Sequence, residues 1–386
     1  MFAKRTSWNL TPNSLSEALA AHRAAGKPLI DLTVSNPTEC GFEYDRSAIL
    51  KALRNPAALS YEPNPRGLES ARRAVAGYYA DRGDDVSTED IFLTASTSEA
   101  YSYVFRTLCD PGDEVLIPSP SYPLFDFLAD IQDVSLVRYP LLYDHGWQID
   151  FHALEQAISP RTRGVIVVHP NNPTGNFIKS GEMEKLNAIC SARGMAIIAD
   201  EVFLDFAVVE KRPASFAANR SAPTFTLSGL SKICGLPQMK AAWLIVSGPQ
   251  QRKSEALERL EVIADAYLSV NAPVQLAIPK FLEQRQAFQE QVRSRVRRNL
   301  AELDRLLAAQ KVCSRLAVEG GWCGVLRVPA TRSGEDLVIE LLTAKGVYLH
   351  PGHFYDFPSD GSLVISLITP GTHFAQGMAN ALTLLG

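Results

Sequence analysis

Short apolar segments alternate with helical stretches along the chain from about residue 90 onward. Each apolar segment is bounded by polar turn residues, which is typical of a strand that is buried on both faces. Strands of this kind, separated by helices, predict a largely parallel sheet with helices on both sides, and therefore an α/β fold. The segments predicted as strands are 91–94, 114–118, 164–168, 196–199, 224–227 and 241–246.

A second, smaller domain is predicted from the pattern that follows this alternation. A helical pattern runs from about residue 273 to residue 310, and two further short strands are expected at 325–328 and 363–366. We predict that residues 41–284 form the large domain, and that residues 1–40 and 285–386 together form the small one. A chain of 386 residues is long enough for such a pair of domains.

Polar residues directly follow three of the predicted strands. Asn172 lies in the turn 169–175, between residues that restrict its backbone, and Asp200 ends the segment 196–199. Lys232 follows the segment 224–227 within a turn rich in serine and glycine. Because ligands bind at the carboxyl ends of parallel strands, these three side chains are candidates for one site. Each also has a plain alternative, as a turn residue, a helix cap or part of a glycine-rich loop.

The lysine segment 228–240 favours a covalent role for Lys232. A lysine that bonds to a phosphorylated carbonyl cofactor needs small neighbours, hydroxyl groups for phosphate oxygens and a nearby cation. Ser228 and Ser231 supply the hydroxyl groups, and Lys240 is the cation eight residues further on. In the same setting, a carboxylate such as Asp200 can hold a pyridine nitrogen protonated.

Three further groups upstream fit the same kind of ligand. Ser96 and Thr97 lie between a predicted strand and a helix near 98–109, where hydroxyls and free backbone N–H groups can bind an anion. A simple helix cap explains them as well. Tyr122 can stack on an aromatic ring, although a core position is the plain alternative, and Tyr61 can offer a phenol to a phosphate.

Composition and charge exclude several other classes of protein. The net charge of −4 argues against nucleic acid as the main partner. No apolar run approaches the roughly 18 residues of a membrane span, and no signal peptide is recognisable. The six cysteines form no C-x-x-C pair, so we expect no metal site and a reducing cytoplasmic location.

In this order, the residues resemble the fold-type-I, pyridoxal-phosphate-dependent aminotransferases of class I/II. The resemblance covers nearly the whole chain, and it implies a large domain with a mainly parallel seven-stranded sheet plus a smaller α/β domain. It implies pyridoxal 5′-phosphate as the cofactor and Lys232 as the residue that forms the internal aldimine. Asp200 would pair with the pyridine nitrogen, Asn172 would bond to the ring hydroxyl, and Tyr122 would stack on the ring.

The resemblance also implies a phosphate site and a dimer. Ser96, Thr97 and Lys240 would hold the phosphate, helped by Ser228 or Ser231. Tyr61 would reach the phosphate of a neighbouring subunit, which implies a homodimer with shared active sites.

The chain departs from the family pattern at four positions. Lys240 replaces an arginine and keeps the charge without the bidentate geometry. Gly229 stands where a serine is common, so either Ser228 or Ser231 can serve the phosphate. Phe203 replaces a tyrosine that donates to the ring oxygen of the cofactor. Val364 lies where an arginine is expected to bind the substrate carboxylate.

The loss of that arginine leaves the substrate carboxylate without an assigned partner. Arg66, Arg327 and Asn36 are the candidates, and the segment 350–353 is expected to be a turn on the substrate side rather than a metal site.

We predict amino-group transfer from an amino acid to a 2-oxo acid by a ping-pong mechanism. The alternatives are a lyase, cyclase or oxidase reaction with the same cofactor, and a ligand sensor that does not turn over. The substrate itself is not identified by the sequence.

Overall fold

The structure, a computed structural model, describes residues 1–210 and 213–385. The strands within these residues are β1 (Ile30–Asp31), β2 (Ile91–Thr94), β3 (Glu114–Ser119), β4 (Ser135–Tyr143), β5 (Trp147–Ile149), β6 (Thr162–Val168), β7 (Ala196–Asp200), β8 (Thr224–Gly229), β9 (Ala242–Ser247), β10 (Ser314–Arg315), β11 (Cys323–Arg327), β12 (Val347–Tyr348), β13 (His350–Pro351) and β14 (Ser362–Ser366). The α-helices are α1 (Ser14–Ala24), α2 (Arg46–Ala52), α3 (Glu69–Ala80), α4 (Thr97–Leu108), α5 (Leu124–Asp130), α6 (Phe151–Gln156), α7 (Ser180–Arg193), α8 (Leu230–Ile233), α9 (Gln250–Asp265), α10 (Ala272–Ala308), α11 (Gly334–Lys345) and α12 (Gly371–Leu385).

The largest sheet has eight strands in the order β2-β9-β8-β7-β6-β3-β4-β5. The strands β8, β7, β6, β3 and β4 are parallel to one another, whereas β9 is antiparallel to β2 and β8. The sheet is therefore mainly parallel, as predicted. Strands β4 and β5 lie outside the six predicted segments. They pair antiparallel with each other, and β5 brings the sheet to eight strands where the resemblance implied seven.

The central strands are buried on both faces, which explains their continuous apolar sequences. In β6, Val165 and Val167 belong to one apolar cluster, and Ile166 and Val168 belong to another. Successive side chains of a strand point to opposite faces, so this division shows that each face packs against its own layer. Helices α4 and α9 contribute to one cluster, and helix α7 contributes to the other. The predicted covering of both faces by helices is present.

A smaller sheet has four strands in the order β10-β11-β14-β13 and lies over a separate apolar cluster. Helices α11 and α12 and the C-terminal half of α10 contribute to this cluster. The strands predicted at 325–328 and 363–366 correspond to β11 and β14. The predicted domain boundaries themselves remain a prediction.

The long helix α10 links the regions around the two sheets. It begins after Asn271, whose side chain accepts a hydrogen bond from the backbone N–H of Val274, as expected for a helix cap. It then packs against α3 near one end and α12 near the other. Among residues 1–210 and 213–385, no helix is long and apolar enough to cross a membrane.

Candidate active site

A cavity of about 540 Å³ lies where the carboxyl ends of the large sheet meet the smaller sheet. Val168, Asp200 and Gly229 reach it from the ends of β6, β7 and β8, and Val364 reaches it from β14. Eight of the thirteen site residues predicted from the sequence line this cavity: Ser96, Thr97, Tyr122, Asn172, Asp200, Phe203, Ser231 and Lys232.

Lys232 lies in α8, directly after β8, and its amine is held among aromatic rings. Its Nζ is 5.1 Å from the ring centroid of Trp322 and 5.6 Å from that of Phe203. Burial lowers the pKa of this amine, and the nearby Cys323 and Asp200 offset that shift only in part. A lysine with a lowered pKa is more often the free amine, which is the form that attacks a carbonyl carbon.

Gly229 ends β8 where the backbone runs close to β9. A Cβ atom built on Gly229 would lie 2.7 Å from the Cβ of Ala242 and 3.0 Å from the carbonyl oxygen of Ala241. No side chain fits there without a shift of the paired strand. The close pairing of β8 with β9 therefore explains why this chain has glycine where a serine is common in the family.

We expect Gly229→Ser to lower the free energy of unfolding by about 1–3 kcal/mol, the usual cost of forcing extra atoms into a packed site. Urea unfolding measures the effect. Gly181→Ser is the control, because nothing lies within 4 Å of a Cβ at that glycine. Equal stability losses in the two variants would contradict the steric explanation.

Asp200 is a buried acid at the end of β7. Its carboxylate accepts hydrogen bonds from the Tyr101 hydroxyl at 3.1 Å and from the Val202 backbone N–H at 3.1 Å. Burial raises the pKa of Asp200 to about 6, and these two hydrogen bonds and Lys232 limit the shift. The carboxylate is fixed in position and lacks a full counter-charge, so it suits a ligand that carries a protonated ring nitrogen.

Asn172 lies in a turn that its neighbours hold rigidly. The Asn171 side chain donates to the carbonyl oxygen of Pro120 at 3.0 Å and to the Thr174 hydroxyl at 2.7 Å. The Oδ1 atom of Asn172 is buried and has no hydrogen-bond partner among the described residues. Because buried polar atoms are rarely left unpaired, this amide indicates a ligand in the cavity.

The N-terminus of α4 lies in the wall of the same cavity. Ser96 caps the helix by accepting a hydrogen bond from the Glu99 backbone N–H at 3.2 Å, and Thr97 and Ser98 also line the cavity. The first N–H groups of a helix have no acceptor within it, and they attract negative charge. Together with Ser231, this end of the cavity suits a phosphate group.

Tyr122 stands at the mouth of the cavity. Its side chain is 42% exposed, and its ring makes an edge contact with Phe125 at a centroid distance of 6.2 Å. A half-open aromatic face of this kind can cover a planar ligand.

Five of the predicted site residues lie outside the cavity lining. Ser228 is buried, and its hydroxyl donates to the carbonyl oxygen of Glu201 at 3.3 Å, so Ser231 is the serine that faces the cavity. Lys240 is exposed, with a left-handed backbone at φ 49°. Tyr61 is 82% exposed and lines a separate, smaller pocket.

The other two predicted residues outside the cavity lining are Arg66 and Asn36, the candidates for binding the substrate. The Arg66 guanidinium pairs with Glu261 at 2.6 Å and lies over the Phe92 ring. Asn36 caps a short 3₁₀ helix and bonds to Glu39 at 3.0 Å. Arg327, the third candidate, lies over the Tyr143 ring instead. The structure thus brings none of the three candidates to the cavity wall.

Several lining residues were missed by sequence reasoning. Trp322 and Cys323 reach the cavity from the start of β11, and Tyr101 reaches Asp200 from α4. Burial raises the pKa of the Cys323 thiol to about 12, so this thiol is protonated at neutral pH. A glycine pair before Trp322 is the one sequence signal that marks a close approach there.

Within the segment 350–353, His350 lines the cavity, but the predicted turn is not present there, because His350–Pro351 form strand β13 and a 3₁₀ helix follows. His353 lies instead near Glu335, at 3.7 Å. The part of the chain that the structure describes contains no cluster of three or more metal-ligating side chains.

Phe203 is buried, and its ring faces both Lys232 and Trp322, with a centroid distance of 5.2 Å to Trp322. A phenol here would donate to a ring oxygen of a bound cofactor and stabilise its anion. We therefore expect Phe203→Tyr to lower the pH at which the visible absorbance of the cofactor-loaded protein changes. Titration of both proteins under one set of conditions measures this, and an unchanged or higher midpoint in the variant would contradict it.

The residues present fit pyridoxal 5′-phosphate. The cavity combines a lysine whose pKa is lowered by burial, a fixed buried carboxylate, an unpaired amide and a helix N-terminus. These four groups match the carbonyl, the ring nitrogen, the ring oxygen and the phosphate of that cofactor respectively.

Comparisons with known proteins agree with this fit. Residues 27–372 match the family model described as "Aminotransferase class I and II". The chain therefore belongs to the class I and II aminotransferase family, which confirms the predicted fold-type-I, pyridoxal-phosphate-dependent class.

Two individual relatives and one solved structure are also similar to this chain. The chain is 31% identical over 270 residues to the glutamate-pyruvate aminotransferase AlaA of Escherichia coli (strain K12), a match that covers 69% of this chain and 66% of that enzyme. It is 30% identical over 243 residues to an S-alkyl-thiohydroximate lyase of Arabidopsis thaliana, covering 61% of this chain and 52% of the lyase. A crystal structure of an aminotransferase from Escherichia coli superimposes with a TM-score of 0.87 at 26% identity, over 100% of this chain and 98% of that one.

Proposed function

We propose that the protein transfers an amino group from an L-amino acid to a 2-oxo acid, with pyridoxal 5′-phosphate bound in the cavity. The observation that carries this proposal is the pairing of Lys232 and Asp200 in one cavity, each with a pKa shifted by burial. Perturbed lysine and carboxyl groups that share a cavity are typical of acid–base sites.

Lys232 has two tasks in this proposal. Its amine would hold the cofactor covalently, through the carbonyl carbon of the cofactor, when no substrate is bound. The freed Nζ accepts the proton from the α-carbon of the substrate and later returns a proton to the reacting carbon. The lowered pKa of Lys232 favours the unprotonated amine that both tasks need.

The bound cofactor supplies an electron sink for the charge that forms when the α-proton leaves. Asp200 keeps that sink effective, because its carboxylate holds the ring nitrogen protonated. Tyr101 and the Val202 N–H fix the orientation of the carboxylate, so it cannot turn away from the ring.

The remaining groups bind and orient the cofactor. Asn172, whose unpaired atom is the acceptor Oδ1, bonds to the ring hydroxyl, and Tyr122 covers one ring face. Ser96, Thr97 and Ser231 hold the phosphate, and we propose that the exposed Lys240 adds charge at long range. Lys240 lies outside the cavity lining, so this last role is the least direct.

We also propose a homodimer that works in the cytoplasm. Tyr61 is exposed and lines a pocket other than the cavity of its own chain, which supports a role at the phosphate of a second copy. All six cysteines are free, which fits a reducing compartment.

A lyase reaction with the same cofactor is the second candidate. The cavity lining of the described residues contains no arginine, so the usual partner of an amino-acid carboxylate is missing there. The similarity to an S-alkyl-thiohydroximate lyase supports the same alternative.

Product analysis distinguishes the two candidates. With glutamate and pyruvate, the pair named in the AlaA relative, amino transfer yields alanine in amounts equal to the glutamate consumed. Release of ammonia or a thiol without any need for an oxo acid would favour the lyase reaction instead.

A further inference from the structure

Among the residues that the structure describes, the wall of the cavity is poor in cationic side chains. Among the lining residues that the structure describes, Lys232 is the only lysine, and there is no arginine. An amino acid bound there would bring a carboxylate into a largely apolar pocket. A buried carboxylate needs hydrogen-bond donors, so the wall around it must supply them.

Val364 marks the place where such donors are needed. It lies in β14, is 2% exposed and pairs directly with His350 of β13. On its other side β14 pairs with β11, and Trp322 directly precedes that strand. His350 therefore lies in one of the two strands that flank β14, and Trp322 directly precedes the other; both residues line the cavity.

Trp322 carries a buried donor without an acceptor. Its side chain is 2% exposed, and its Nε1 has no hydrogen-bond partner within residues 1–210 and 213–385. Edge contacts with Phe203 and Phe206, at centroid distances of 5.2 and 5.1 Å, hold the indole in place. An unpaired buried N–H is costly, and Trp322 is one of the residues that line the cavity, so a ligand bound there is a source of the missing acceptor.

His350 carries a second donor. Its Nδ1 lies 3.0 Å from the Tyr355 hydroxyl, which we assign as the donor of that bond. This assignment leaves the proton of the neutral imidazole on Nε2, and no described residue bonds to Nε2. The ring is also enclosed by Tyr348 and Phe354, at centroid distances of 5.7 Å each, so its orientation is restricted.

We propose that the indole N–H of Trp322 and the Nε2–H of His350 bind the α-carboxylate of the substrate in place of a guanidinium group. This inference rests on the proposed function. It assigns the binding of the substrate carboxylate to two neutral donors of the protein. It also makes the apolar wall formed by Val364, Phe354 and Leu124 the surface that contacts the substrate side chain.

Trp322→Phe with Trp147→Phe as its control tests the indole. Both changes keep an aromatic ring and remove a buried N–H that lacks a partner among the described residues, but Trp147 is outside the cavity lining. The measurement is the dissociation constant of 3-phenylpropanoate and of its uncharged analogue 3-phenylpropan-1-ol, with cofactor-loaded protein and calorimetric detection. We expect Trp322→Phe to raise the dissociation constant of the carboxylate by roughly 10-fold or more, as for the loss of other charge-assisted hydrogen bonds. The dissociation constant of the alcohol should rise by less than about 2-fold.

His350→Leu and His350→Gln test the imidazole in the same assay. We expect the leucine variant to lose carboxylate binding selectively and the glutamine variant, which keeps an N–H near the position of Nε2, to recover most of it. His353→Gln is the matched control, because His353 is outside the cavity lining.

Three results would overturn the proposal. The first is a wild-type protein that does not prefer the carboxylate over the alcohol. The second is an equal loss of both ligands in Trp322→Phe. The third is a changed cofactor affinity or absorbance titration in Trp322→Phe, which would assign the indole to an oxygen of the cofactor. Since binding is measured without turnover, failure of the transfer reaction itself leaves these results readable.

Discussion

Lys232→Ala is expected to abolish turnover and leave the fold intact. The variant removes the amine that bonds to the cofactor and that accepts the α-proton, and no other lysine lines the cavity within the described residues. Loss of a general base alone lowers rates by 10²–10⁴-fold, and loss of the covalent role adds to this. We therefore expect kcat to fall by about 10⁴-fold or more, as measured by steady-state transfer between an amino acid and an oxo acid.

A second readout separates this role from simple loss of binding. Reduction with borohydride followed by denaturation should leave the cofactor attached to the wild-type chain and to Lys280→Ala, an exposed lysine that pairs with Glu283. It should leave none attached to Lys232→Ala. Transfer at the wild-type rate by Lys232→Ala, or cofactor attached to another residue, would contradict the assignment.

Asp200→Asn is expected to lower kcat by about 10²–10³-fold, the range for removal of one preorganised electrostatic partner. The amide keeps the shape of the side chain and can still accept from the Val202 N–H and donate to the Tyr101 oxygen. What it loses is the negative charge that holds the ring nitrogen protonated. Cofactor binding at or near the wild-type affinity together with slow turnover would match this expectation.

The same substitution should stabilise the cofactor-free protein at high pH. Burial raises the pKa of Asp200 to about 6 in the folded chain from an ordinary value of 3.8, so ionisation opposes folding. Stability is therefore lost as the pH rises from about 4 to about 6, and the loss persists above that range. Two pKa units correspond to about 3 kcal/mol.

We accordingly expect the cofactor-free Asp200→Asn protein to be more stable than wild type by up to about 3 kcal/mol at pH 8, and equal to it near pH 4. Urea unfolding at the two pH values measures both differences. Equal stability at pH 8 would show that the carboxylate does not bear the cost of burial.

The strands and the cofactor end of the site could be predicted because both are local features of the sequence. Apolar segments in the sequence marked β6, β7 and β8. The polar residues that follow or end these strands are Asn172, Asp200 and Lys232, and all three line one cavity. The topology of parallel strands converts these distant positions into neighbours. The resemblance to a family then assigned a role to each.

The substrate end could not be predicted, because it depends on packing between distant segments. Trp322 and His350 have no motif of their own, and they become neighbours of Val364 only through the order of strands in the smaller sheet. Tyr101 is an ordinary helix residue in the sequence, and it meets Asp200 only because α4 packs on the large sheet. Arg66 was a candidate partner for the substrate carboxylate from the sequence, but in the structure its guanidinium pairs with Glu261.

The most direct test of amino-group transfer is the absorbance spectrum of the cofactor-loaded protein during two successive additions. A single amino acid is added first, and pyruvate or 2-oxoglutarate is added afterwards. We expect the amino acid to convert the visible band of the bound cofactor to that of its aminated form, and the oxo acid to restore the original band. A band that stays unchanged while ammonia accumulates, or that the oxo acid fails to restore, would contradict amino-group transfer.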